Sequence, residues 1–307
     1  MAKTREIRKR ITSVRNIHKI TRTMERVAQS KAMKLTGRFD DARSFRAHIG
    51  RLLPEALGVS PGAQEGAERL LRHPLAAARG PVKRVLLFVI TSSRGLCGGY
   101  NARVIQFTVA RMAALKAEGK EPLLAVMGRK GLAYFRYHEI PVAIAMPEIE
   151  ENMPFAHVDE IAQGVFDRYL AGEFEAVEVI STRYRTKVAQ DVAAWPFLPF
   201  TVAAAAAGAP HKGPTLGPDL NPLYIVEPDR DRVIGLIVPL LLKVELFRTI
   251  LEAMLSEQAQ RSIAMRSASD NADSMTKRLT RTYNRVRQAQ ITNEMIEIIS
   301  GSEGGRT

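Results

Sequence analysis

The chain has 307 residues, 46% of them hydrophobic and only 6% aromatic, with a formal net charge of +13. That suffices for one buried core plus extended elements, and the charge calls for an acidic partner: nucleic acid, anionic lipid or an acidic protein surface. A single cysteine, Cys97, excludes a disulfide or a paired-thiol switch, and the strongest apolar run, 233–242, is too short and too broken to span a bilayer.

The opening residues carry charges with no apolar stretch behind them, so no signal peptide is expected. Residues 2–36 contain neither glycine nor proline. In them Ile7, Ile11, Val14, Ile17, Ile20, Met24 and Val27 recur at spacings of 3 and 4, a stripe too thin for a globular core helix and suited to a two-helix seam. Eleven cations in 1–36 face only Glu6 and Glu25, a local charge of +9. Pro54 is expected to end this helix, which gives a first segment of 1–56. Residues 57–81 are dotted with Gly58, Pro61, Gly62, Gly66, Pro74 and Gly80 and read as a linker with one helical turn.

Residues 82–222 change character. Apolar runs at 85–90, 123–127, 140–145 and 176–182 have strand length, and helical patterns at 102–118, 128–137 and 155–171 alternate with them. That alternation predicts an α/β domain with a mostly parallel sheet, which 183–195 could extend at an edge. The Pro-dotted, alanine-rich stretch 196–222 reads as loop, and 223–226 as a short strand. In the last segment, 223–307, residues 240–300 lack glycine and proline. A helix of 61 residues is roughly 90 Å long, against a diameter of about 50 Å for a compact chain of this size, so it should project from the body. Met265, Ala268, Ala272, Met275, Leu279, Tyr283, Val286 and Ala289 give it a narrow stripe. The fold class predicted is α/β: a long antiparallel coiled coil of the two terminal helices, with an inserted Rossmann-like α/β domain.

No catalytic constellation stands out. Gly95-Leu-Cys-Gly-Gly99 lies between a strand and a helix, where backbone N–H groups can cradle a phosphate, but it matches neither phosphate-binding fingerprint, and a tight turn needs glycine anyway. The six histidines show no metal-ligand spacing, and Cys97 reads as a small buried residue. Cofactor and metal are therefore expected to be absent. Residues 1–36 have cations on every side but no aromatic residue for stacking on bases, which argues against nucleic acid. A second basic cluster, Lys277, Arg278, Arg281, Arg285 and Arg287, has no acid between Asp273 and Glu294, so one acidic collar could meet both helices.

Three motifs then converge. The run from Arg8-Lys-Arg-Ile-Thr-Ser-Val to Ala28, the loop Thr91-Ser-Ser-Arg-Gly-Leu-Cys-Gly-Gly-Tyr-Asn101, and Tyr283-Asn-Arg-Val-Arg-Gln-Ala-Gln-Ile-Thr-Asn-Glu-Met-Ile-Glu-Ile-Ile-Ser-Gly301 resemble, in order, the F-type ATP synthase gamma subunit family. The resemblance covers essentially the whole chain. It implies a non-catalytic central-stalk rotor that couples ion flow through the membrane sector to ATP synthesis on the beta subunits. The implied partners are the alpha and beta subunits of the hexamer, the epsilon subunit and the c-ring. The implied place is the cytoplasmic face of a bacterial plasma membrane, held peripherally. The resemblance also implies hexamer contacts at Met24, Arg261, Arg287, Gln288, Thr292 and Glu294. Departures from the family pattern are Gln260 and Ser262 around Arg261, Ala272, and the polar tail from Ser302.

Overall fold

The computed structural model describes residues 2–57, 64–77, 80–150, 152–201 and 226–304. Its elements are α1 (Ala2–Leu57), α2 (Gln64–Leu71), β1 (Arg84–Ile90), α3 (Tyr100–Ala117), β2 (Glu121–Met127), α4 (Arg129–Tyr137), β3 (Ile144–Met146), α5 (Phe155–Leu170), β4 (Ala176–Tyr184), β5 (Gln190–Leu198) and α6 (Arg230–Gly304). They divide into two compact units, Lys31–Gln260 and a pairing of Met1–Ser30 with Arg261–Thr307.

The larger unit is built on a five-stranded sheet of order β3-β2-β1-β4-β5. β1, β2, β3 and β4 run parallel and β5 pairs antiparallel with β4. β1 is buried along almost its whole length because both faces are covered, which is why its sequence is a continuous apolar run. Val85, Leu87 and Val89 pack with Val104 and Leu115 of α3 and Phe135 of α4. Leu86, Phe88 and Ile90 join the core that includes Leu53 of α1, Val165 of α5 and Leu251 of α6. Apolar side chains on opposite faces of one strand thus serve two layers.

Several boundaries differ from the sequence reading. β3 is only three residues long, because Ile140 N–H is taken by Phe135 O to close α4 and Glu139 turns with φ of 54°. β5 continues through Pro196, Phe197 and Leu198, where a loop is expected; Phe197 and Leu198 are buried, and Pro196 needs no ladder hydrogen bond at a sheet edge. Residues 202–225, which include most of the expected loop and nearly all of the expected short strand, lie outside the described residues. The expected linker holds a two-turn helix, α2, and a turn with Leu70, Leu75 and Ala76 buried. That turn is tied into the body by Phe200 N–H to Leu75 O at 2.8 Å and Tyr169 O–H to Ala77 O at 3.3 Å.

Neither proline stops its helix. Pro54 lies inside α1 and Pro239 inside α6, which starts ten residues earlier than the uninterrupted run suggests, at Arg230. Each has glycine four positions before it, Gly50 and Gly235, at the carbonyl a proline ring crowds. Pro239 also leaves the Gly235 carbonyl without its helical N–H partner. His73 supplies one: its ring hydrogen-bonds to the Gly235 backbone while its Nδ1 accepts Leu75 N–H at 3.2 Å.

Candidate partner-binding surface

The smaller unit is a helix pair, 2–30 against 261–304. Thr4 Oγ1 hydrogen-bonds to Gln290 and His18 lies near the Asp273 carboxylate, so the two segments run antiparallel. A row turned away from solvent on α1 runs through Thr4, Ile7, Ile11, Val14, His18, Thr21, Glu25 and Ala28, with Met24 and Gln29 half-buried beside it. On α6 the matching row is Ser262, Met265, Ser269, Ala272, Thr276, Leu279, Tyr283, Val286 and Gln290, with Arg261 buried and Ile263, Ala264, Ala268 and Thr280 half-buried beside it. Both sets alternate spacings of 3 and 4, the heptad of a two-helix seam. Polar members fit because they are satisfied at home: Thr21 Oγ1 donates to Ile17 O at 3.0 Å and Thr276 Oγ1 to Ala272 O at 2.9 Å.

This seam is not the one read from apolar residues alone. Ile17, Ile20 and Val27 are 51%, 58% and 47% exposed, and Met24 between them is half-buried. On α6, Met275 is 50% exposed and Ala289 is exposed, while Thr276 and Gln290 take the seam. From Ile17 on, the α1 seam lies one position further along the helix, and an apolar row remains on the outside.

Around that row the surface is basic. The unit contains 17 lysines and arginines against 7 acids, a net +10 of the chain's +13. Arg15, Lys19, Arg22 and Arg26 of α1, and Lys277, Arg278, Arg281, Arg285 and Arg287 of α6, are all exposed. Arg10 pairs with Glu6 at 2.7 Å and Lys277 with Asp273 at 2.8 Å, both in solvent, where such pairs contribute little. The hydrogen bond from Lys277 holds the Asp273 carboxyl below the usual carboxylate range.

All six residues expected to make contacts fall in this unit. Arg287, Gln288, Thr292 and Glu294 are exposed on α6 within two turns of helix. Met24 is half-buried on α1, whereas Arg261 is only 8% exposed. The Thr292 hydroxyl donates to Gln288 O at 3.0 Å and keeps its lone pairs for another donor. The exposed Ile17, Ile20 and Val27 lie outside the seam; only knowing which polar residues fill the seam sets them apart.

The glycine loop between β1 and α3 folds onto its own side chains. Ser92 N–H donates to Asn101 Oδ1 at 2.9 Å, Ser92 Oγ donates to Arg94 O at 2.6 Å, and Asn101 Nδ2 donates to Cys97 Sγ at 3.2 Å. Cys97 is buried, as expected, and Gly98 takes a φ of 57° that favours glycine. No group of three or more His, Cys, Asp or Glu placed to hold a metal occurs among the described residues. Among the same residues, no helix is long and apolar enough to cross a membrane.

Residues 3–304 match the ATP synthase family model. The chain is 34% identical to the ATP synthase gamma chain of Rhodospirillum rubrum over 306 residues, 99% of either chain. It is 33% identical to that of Mycolicibacterium vanbaalenii, covering 97% of this chain and 96% of the relative. Among solved structures it is similar to a chain of the Euglena gracilis mitochondrial ATP synthase, OSCP/F1/c-ring, with a TM-score of 0.65 at 17% identity, covering 99% of this chain and 94% of that one. It is also similar to a chain of the Tetrahymena thermophila mitochondrial ATP synthase central stalk and c-ring, with a TM-score of 0.55 at 21% identity over 81% of this chain and 99% of that one. Matched along nearly its full length, the chain belongs to the ATP synthase gamma chain family, the non-catalytic stalk subunit that couples ion flow to ATP synthesis.

Proposed function

We propose that this chain is the central-stalk rotor of a bacterial ATP synthase, turning inside a hexamer of alpha and beta subunits. In this reading the epsilon subunit and the c-ring are its partners at the other end. The observation that carries this is the helix pair. Its seam is already closed, yet it keeps an apolar row of Ile17, Ile20 and Val27 outside and a net +10 around it, a surface made for an acidic, partly apolar sleeve. Met24, Arg261, Arg287, Gln288, Thr292 and Glu294 are the contacts assigned to that sleeve, Arg261 having the least surface to offer. The segments 1–56 and 223–307 are the shaft, 57–81 joins it to the body, and 82–222 is the central domain. Attachment to the membrane is peripheral, at the cytoplasmic face, through the other subunits.

The test is co-expression with alpha and beta subunits. Retention of this chain with them on size exclusion, together with ATPase activity of the assembly, is the expected result. Elution of the chain apart from an intact alpha–beta assembly would overturn the reading.

A further inference from the structure

We propose that Arg46, Glu245, Arg248 and Glu252 form a directional clamp that fixes the angular setting of α1 and α6 against the sheet, so that torque passes between helices and sheet without slip. This rests on the central-stalk reading. Arg46 of α1 donates through Nε to Glu245 Oε2 at 2.9 Å. Glu245 Oε1 accepts from Arg248 Nη2 at 2.7 Å, and Arg248 Nη1 donates to Glu252 Oε2 at 2.9 Å. Glu252 Oε1 then accepts Tyr184 N–H at the end of β4, at 3.0 Å. One continuous run of charge-assisted hydrogen bonds thus joins α1, α6 and the sheet. Arg248 also lies over the Phe39 ring of α1, 5.9 Å from its centroid.

The run is buried: Arg46 is 6% exposed and Glu252 7%. Buried ion pairs are poor devices for stability, since well-packed apolar residues of the same volume do as well or better. What they add is direction. Arg46 Nε on Glu245 Oε2 joins α1 to α6, and Tyr184 N–H on Glu252 Oε1 joins β4 to α6, each a directional bond to a charged group that favours one angle. The opposite side of α6 is held too, by Lys243 Nζ to Asp159 of α5 at 2.7 Å. Lys243 and Glu252 are nine positions apart, about half a turn out of phase at roughly 100° per residue, so α6 is gripped from two sides.

The test uses the whole ATP synthase, reconstituted in vesicles with this chain, measuring ATP hydrolysis and ions pumped per ATP. Arg46→Met keeps the alkyl stem and deletes the guanidinium; Glu252→Gln keeps the size and an oxygen for Tyr184 N–H. Both should assemble and hydrolyse ATP at close to the parent rate, while ions pumped per ATP fall about threefold or more, because the loss of a buried partner is felt at the interface it joined. Arg46→Lys should restore most of the ratio. A merely structural role would lower yield and hydrolysis together and leave the ratio alone. Unchanged pumping per ATP in assembled Glu252→Gln overturns the clamp even where Arg46→Met fails to assemble. Failure of the parent chain to assemble overturns the stalk reading itself, and the clamp's role with it.

Discussion

Gly131 and Gly164 both sit inside helices, and replacing each with alanine should have opposite effects. In an open helix position the change stabilises by about 1 kcal/mol, because alanine restricts the unfolded chain. Gly164 on α5 is such a position, exposed and with no atom within 4 Å of where a methyl would sit. Gly131 on α4 is not. A methyl there would lie 2.6 Å from Thr91 Oγ1 and 2.8 Å from its Cγ2, against an ordinary contact of about 3.5 Å. Thr91 is 1% exposed, and its hydroxyl accepts Gly131 N–H at 3.0 Å while donating to Met127 O at 2.8 Å. Moving it breaks both bonds, about 1 kcal/mol each, and the overpacking adds roughly 1–3 kcal/mol. Less the helix gain, Gly131→Ala should destabilise by about 2–4 kcal/mol while Gly164→Ala stabilises by about 1 kcal/mol. Urea unfolding of the purified chain, followed by far-UV circular dichroism, reads both. A midpoint for Gly131→Ala at or above that of the parent would refute the reasoning about Thr91.

Three further outcomes are expected. Burial holds His73 below the usual imidazole range even though its bond to Gly235 pulls the other way, so the unfolded chain binds the proton more tightly. That contribution to stability is full above pH 6.5, the ordinary value, and drains as the pH falls below it; His73→Ala should cost about 1–2 kcal/mol at pH 8 and flatten this slope, read from urea midpoints across pH. Ile20→Ser, at a side chain 58% exposed, should leave the free chain's stability within about 0.5 kcal/mol yet weaken binding to the alpha–beta hexamer about tenfold or more, by competition against the parent chain. Met24→Lys adds a cation to an already basic face and should lower ions pumped per ATP while assembly is retained, measured in reconstituted vesicles.

The α/β domain is legible because both faces of its central strands are buried, so 85–90 and 123–127 read as apolar runs between helical patterns. Proline misleads at both ends of the chain. Pro54 and Pro239 are helix breakers by rule, yet α1 and α6 both run through them. What cannot be seen in the sequence is the remedy for the lost hydrogen bond, since His73 comes from a segment more than 150 residues away.

The basic face is legible too, since charge needs no register to be counted. The seam is not, because apolar periodicity alone does not define it. Ile17, Ile20, Met24 and Val27 keep the same spacing as the true seam, one position off, while His18, Thr21 and Glu25 occupy it. Continuity decides between the two. The seam set by Thr4, Ile7, Ile11 and Val14 runs on through His18 and Thr21 to Ala28 without a change of phase. Turning α1 to bury Ile17, Ile20 and Val27 would require breaking that phase at Val14. Between Ile17 and Ala28 the pair closes on His18, Thr21 and Glu25 with Ile17 and Ile20 left outside, and so gives up apolar burial within itself. It leaves that burial open, and the proposed sleeve of alpha and beta subunits would supply it.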